Sequence, residues 1–371
     1  MSARIFLWSF ILSIVALVVA FFYGGWSGLA LCLILGILEV SLSFDNAVVN
    51  ATVLERMSEF WQKIFLTVGI VIAVFGMRLV FPLLIVEFTA GLNPVEAFRL
   101  AMEKGDPEVP GTYGYLLNEA HPQIAAFGGM FLLMLFLNYI FEEREITWLS
   151  WLERPLARIG KLDQLSVVIA GVLLVVFAET MAPNPEAVLI SGVLGIITYI
   201  AVNGLGTLFE GSGADEDAIE GAAAGADGAP KKSGNGQLVK AVGKAGFFLF
   251  LYLEVLDASF SFDGVIGAFA ITSDPILIAL GLGVIGALFV RSLTIYLVRK
   301  GTLSEYVFLE HGAHWAIGAL AVILLISIGV HVNEIITGLV GVAFIGAAFI
   351  SSIVRNRNLR AQGVEPEHIH A

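Results

Sequence analysis

Apolar residues run along this chain in stretches long enough for a bilayer, with polar segments between them. A membrane-crossing helix needs about 20 such residues. The pattern predicts ten spans, at 5–22, 28–54, 64–86, 124–140, 166–181, 187–208, 245–271, 275–298, 315–330 and 335–353. The expected fold class is therefore all-α, a polytopic membrane helix bundle. Arg4 ahead of the first stretch is reminiscent of a signal peptide, but the stretch is long and no small-residue cleavage pattern follows, so it is expected to be retained.

Two polar segments have characters of their own. Residues 209–243 are rich in Gly, Ala and acids with no apolar period, and read as a flexible cytoplasmic linker. Residues 142–161 place Trp148, Leu149, Trp151, Leu152 and Leu156 among charges, as in an amphipathic helix on the inner membrane surface; an ordinary membrane-proximal loop is the alternative. The expected organisation is a first membrane half over 1–208, the linker, a second half over 244–354 that counts span six, 187–208, in its repeat, and a polar tail over 355–371.

Composition agrees with the membrane. Of 371 residues, 58% are hydrophobic and 14% charged, against about 25% charged in soluble domains. A net charge of -12 does not suit nucleic acid, and the single cysteine, Cys32, offers neither a disulfide framework nor a thiolate cluster. Membrane lipid is the expected surrounding, and no oligomeric state is indicated. The 20 basic residues sort by side. With both termini cytoplasmic, sixteen fall inside, Arg99 and Lys104 fall outside, and Arg78 and Arg291 lie within spans.

Against this apolar background one acidic pattern occurs twice. Glu39-Val40-Ser41-Leu42-Ser43-Phe44-Asp45-Asn46 aligns without gaps on Asp257-Ala258-Ser259-Phe260-Ser261-Phe262-Asp263-Gly264, identical at four of eight positions. A charge at membrane depth costs roughly 2.5 to 3.5 kcal/mol on insertion scales, so two matched acidic clusters point to a site for a cation. The first copy lies on span two and the second on span seven, which run in opposite directions. An offset of five helices predicts a 5+5 inverted repeat, the architecture of many secondary transporters. Ala73-Val74-Phe75-Gly76-Met77-Arg78 and Ala287-Leu288-Phe289-Val290-Arg291 form a second pair, 33 residues after Asp45 and 28 after Asp263.

On a helix, Glu39, Ser43, Asn46 and Asn50 share one stripe, as do Glu254, Asp257 and Ser261. Asp45 and Asp263 lie about 120° off those stripes. Either they face something else or the helices unwind there and free carbonyls for a cation. Carboxylate, amide and hydroxyl oxygens suit Mn²⁺, Mg²⁺ or Ca²⁺ rather than Zn²⁺ or Cu⁺. The candidate metal ligands are Glu39, Ser43, Asp45, Asn46, Glu254, Asp257, Ser261 and Asp263, with Arg78, Arg291 or protons to balance the charge. Exchange of protons for metal, an antiport, follows from that balance. The serines have a plainer role available in helix-to-helix hydrogen bonds, and the arginines in snorkelling. His311 and His314, at i and i+3, could bind a metal or move protons; anchoring beside Trp315 at the membrane interface is the ordinary alternative. Neither His331 nor His368 and His370 forms a specific signal.

These two motifs resemble the signatures of the TerC-like integral membrane proteins, within the LysE-type exporters. Glu39 to Asn46 is similar to an acid followed by Leu-Ser-x-Asp-Asn, and Glu254 to Asp263 to Glu-x-x-Asp-x-x-x-Ser-x-Asp. The resemblance covers most of residues 28–353. It departs in Asp263-Gly264, where the second signature commonly ends Asp-Ser, and in the long segment 87–121 and the linker, as in a divergent branch. The resemblance implies manganese export for better understood members, tellurium-compound resistance or metal-stress roles for others, and a bacterial inner membrane. The expected function is export of a hard divalent cation, Mn²⁺ first and Ca²⁺ or Mg²⁺ next; the alternative is a membrane metal sensor or scaffold that does not transport. No enzyme is expected, since neither His-Glu-x-x-His nor Gly-x-Ser-x-Gly occurs.

Overall fold

The computed structural model describes residues 2–144, 146–162, 164–212, 241–272, 274–300, 305–330 and 332–362. Most of the linker, His331, and the tail with His368 and His370 lie outside the described residues. In chain order the helices are α1 (Ser2–Leu42), α2 (Phe44–Glu55), α3, α4 (Pro94–Glu103), α5 (Tyr113–Phe141), α6 (Ser150–Ile159), α7 (Leu165–Met181), α8 (Pro185–Ser212), α9 (Gly243–Ile271), α10, α11 (Leu309–Ser327) and α12 (Glu334–Ala361). Two of them are composite. α3 runs Glu59–Val71, then a π-helical stretch Ile72–Val80, then Phe81–Ala90; α10 runs Pro275–Ile278, a π-helical stretch Ala279–Ala287, then Leu288–Lys300. There is no strand among the described residues, and the protein is an all-α membrane bundle.

Among the described residues, seven helices are long and apolar enough to cross a membrane: Phe6–Val40, Glu59–Glu87, Tyr113–Phe141, Pro185–Gly204, Pro275–Arg299, Leu309–Ser327 and Ile336–Ala361. Beyond these seven, α7 is apolar but only 17 residues long, and α9 is 29 residues long and carries Glu254, Asp257 and Asp263. α1 joins two expected spans in one stretch of 41 residues that is broken at Gly25, where φ is 63° and ψ is -150°. Only glycine takes that conformation without strain. The chain reverses there, because a Cβ on Gly28 would lie 2.6 Å from the Ala20 carbonyl oxygen; eight residues along a straight helix would separate them by about 12 Å.

Burial ranks the helices by layer. α5 is central, with 72% of its apolar window buried, against 28% for α8 and α12. It packs on α8 and α11 around Met130, Phe131, Leu132 and Leu325. Outward, α1, α7 and α8 expose Trp8, Phe22, Val172 and Ile190. Apolar surface on that scale is stable only against lipid.

The segment after α3 is more ordered than its polar composition suggests. Gly91 ends α3 in the left-handed conformation, and Asn93 with Glu96 forms a capping box for α4. Lys104 then ties this segment to both α1 and α10, 2.7 Å from the Tyr23 hydroxyl and 2.6 Å from Asp274, which caps Ile276. α5 starts at Tyr113, well before the predicted span, because Thr112 caps it there.

α6 is fastened by one buried carboxylate. Glu153 accepts hydrogen bonds from the Trp148 and Leu149 backbone N–H groups and the Trp315 indole N–H, and lies 3.3 Å from His311 Nδ1. Burial pushes its pKa up, but His311, Trp315 and the Leu149 N–H together outweigh burial and hold it at about 2, from an ordinary 4.5. A carboxyl depressed in the folded state stabilises it above the ordinary value, and that contribution fades as pH falls from 4.5 toward 2. Glu153→Gln is expected to cost about 1.5–3 kcal/mol at neutral pH and to flatten the acid limb of a plot of Tm against pH, measured on the purified protein in detergent.

Candidate functional site

Five helices bring the two acidic patterns together. α1 and α2 carry the first, α9 the second, and the π-containing helices α3 and α10 each supply an arginine. The predicted stripe on the first copy is inward: Glu39, Asn46 and Asn50 are buried and Ser43 is half-buried. Glu254, Asp257 and Ser261 are buried likewise on α9. The two patterns touch, since Asn46 Nδ2 donates to Asp257 Oδ1 at 2.8 Å.

Each acid cluster meets an arginine from the same half of the sequence. Arg78 Nη2 is 2.6 Å from Glu39 Oε1, which also accepts from the Ser43 hydroxyl at 3.0 Å. Arg78 Nη1 donates to the Ala73 carbonyl within its own π-helical stretch, at 2.7 Å. On the other side Arg291 Nη2 lies 3.3 Å from Glu254 and 3.4 Å from Asp257. Its Nη1 donates to the Phe65 carbonyl at 2.8 Å, and the guanidinium stacks over the Phe65 ring at 3.9 Å. Both arginines are at most 4% exposed. Each guanidinium leaves its Nε without a partner among the described residues.

Glycine makes the room. A Cβ on Gly286, in the α10 π stretch, would overlap Glu39 Cγ, and one on Gly264 would sit 3.0 Å from Glu39 Oε2. Across the site a Cβ on Gly69 would overlap Glu254 and come 2.6 Å from Arg291 Nη1. The acid of each half thus lies against the backbone of the other, an approach any larger residue would block.

Several buried polar atoms are left over. Glu254 Oε2, Ser261 Oγ and both amide atoms of Asn50 have no hydrogen-bond partner among the described residues. Buried polar atoms without partners are uncommon, and a hard cation takes oxygens of these kinds. No group of three or more His, Cys, Asp or Glu side chains converges on a metal-sized centre among the described residues. The side chains of Asp45 and Asp263 lie outside those residues, so the described set holds Glu39, Glu254 and Asp257, balanced by two arginines to one net negative charge.

The backbone corrects one expectation. α9 is continuous from Gly243 to Ile271, through Asp263 and Gly264, and does not unwind. At the first copy the break is a single residue, Ser43, at φ -98° and ψ 20°. Even there Ser43 N–H reaches the Glu39 carbonyl at 2.9 Å and Ala47 N–H the Ser43 carbonyl at 3.1 Å. The irregular backbone sits instead in α3 and α10, at the π-helical stretches. His311 and His314 are engaged elsewhere, His311 with Glu153 and His314 stacked on Tyr139 at 3.6 Å with Nδ1 2.9 Å from the Glu310 carbonyl oxygen. Gly69, Gly286 and Phe65 escaped the sequence reading; the spacing of glycines on spans three and eight was the signal available for the first two.

The model of a family described as "Protein of unknown function (DUF475)" matches residues 23–359. No curated protein and no solved structure matches the chain.

Removing one member of a buried ion pair leaves the other uncompensated, at roughly 3–5 kcal/mol. Arg78→Met is therefore expected to lower Tm sharply in detergent, and the double variant Arg78→Met/Glu39→Gln to recover part of the loss. A double variant no more stable than the single one would show that the pair is not coupled.

Proposed function

We propose, for a chain that belongs to the DUF475 family, that it is a membrane transporter exporting a hard divalent metal cation, Mn²⁺ first and Ca²⁺ or Mg²⁺ next. The observation that carries this reading is the contact of two acidic patterns at membrane depth, Asn46 on Asp257, with unpartnered buried oxygens on Glu254 and Ser261 beside it. Oxygen donors and the resemblance to TerC-like proteins point to the same class of ion. The ion is substrate here, taken by Glu39, Ser43, Asp45, Asn46, Glu254, Asp257, Ser261 and Asp263.

The arginines supply the mechanism's competitor. A guanidinium keeps its charge in a protein, so Arg78 and Arg291 act as resident countercharges on the oxygens a metal needs. A divalent ion would displace them from Glu39, Glu254 and Asp257, and the remaining negative charge would be met by protons when the metal leaves. Proton antiport follows from that exchange.

The reading includes ten spans in two inverted halves of five, with both termini cytoplasmic in a bacterial inner membrane. Dividing Phe6–Val40 at Gly25 and adding α7 and α9 to the seven apolar helices gives ten. The matched placement of the two π-helical stretches, each just before or around an arginine that pairs with motif acids, supports the repeat.

In proteoliposomes holding the purified protein, Mn²⁺ flux is expected, with Ca²⁺ and Mg²⁺ run alongside to rank the ions. Asp45→Asn and Asp263→Asn should each reduce flux to that of empty vesicles. Metal binding without flux, under an imposed proton gradient as well, would replace the transporter by the sensor or scaffold.

A further inference from the structure

A cavity of about 380 Å³ opens where α6 meets the ends of α5 and α11. Its wall carries three carboxylates, Glu142, Glu143 and Glu153, and three guanidinium groups, Arg144, Arg154 and Arg158. The carboxylates are already matched. Glu142 pairs with Arg144, Glu143 with Lys161 at 2.9 Å, and Glu153 is held by His311, Trp315 and two backbone N–H groups. Arg154 and Arg158, one helical turn apart on the exposed side of α6, have no carboxylate partner among the described residues. Like charges at that spacing repel, and an anion held between them would relieve that repulsion.

A second observation comes from the floor of the cavity. Tyr139 lines it and is 6% exposed, with Arg144 3.8 Å from the ring centroid, yet its hydroxyl has no hydrogen-bond partner among the described residues. A buried hydroxyl in that state is a donor short of an acceptor. The surroundings then identify the kind of anion. Beside the two arginines, Trp151 is 75% exposed and Ile159 50% exposed on the same helix. A soluble ion would leave that apolar face unused, whereas a lipid brings an anionic head and an apolar body together.

We propose that this cavity binds the phosphate headgroup of an anionic phospholipid. Arg154 and Arg158 are the phosphate ligands, the Tyr139 hydroxyl is the inner donor, and the acyl chains lie along Trp151 and Ile159. The inference needs only the membrane and stands or falls apart from metal transport. The test is native mass spectrometry on the delipidated full-length protein, offered phosphatidylglycerol and phosphatidylcholine in equal amounts. Wild type is expected to retain phosphatidylglycerol about tenfold better. The preference should vanish in Arg154→Gln/Arg158→Gln, fall severalfold in Tyr139→Phe, and survive in Arg357→Gln, a basic residue on α12 away from the cavity wall. Equal retention of the two lipids overturns the proposal. So does a loss in Arg357→Gln as large as in the double variant, which would mean diffuse attraction, or displacement of the lipid by inorganic phosphate, which would mean a soluble-anion site.

Discussion

A guanidinium buried at membrane depth must have a carboxylate fixed beside it, because it cannot shed its charge and water is not there to screen it. Arg78 and Arg291 impose that requirement on the whole bundle. Each must be reached by an acid on another helix, each acid must be held against backbone rather than side chains, and the helices must cross closely enough for both. The placement of α1, α3, α9 and α10 meets these conditions together.

Two devices make the crossing possible. Glycine at Gly286, Gly264 and Gly69 lets a carboxylate lie directly on a facing helix. The π-helical stretches widen the backbone turn around Arg78 in α3 and just before Arg291 in α10, and at Ala73 a carbonyl takes up the second arm of Arg78. Stretches of this kind are rare and concentrate at functional positions. Here they occur once in each of the two helices that bring an arginine to the acids.

Much of this was legible in the chain. Apolar length marked the helices, and the three-and-four spacing of Glu39, Asn46 and Asn50 put them on the face that is buried, since one polar stripe on an apolar helix has nowhere else to turn. Pairing was not legible: nothing local says that Asn46 reaches Asp257 rather than a closer partner, and contact between distant segments depends on helix crossing. The π stretches were hidden for a related reason, because Ile72–Val80 and Ala279–Ala287 have the same apolar composition as an α-helix. Unwinding at Asp263 was one of two alternatives for an acid off the polar stripe, yet α9 stays whole, as internal hydrogen bonds are worth most where no water competes. Glu153 looked like one charge among many in an amphipathic segment; its value comes from Trp315 and His311, far along the chain.

The grouping of partners also bears on the order in which the protein is made. Glu39 and Arg78 leave the ribosome before Glu254, Asp257 and Arg291, so each arginine can find its countercharge without waiting for the other half. The glycines that cradle Glu39 emerge only once the chain has run past Gly286. Charge pairing is therefore settled early and locally, while the shape of the site is settled later, once the chain has passed Gly286.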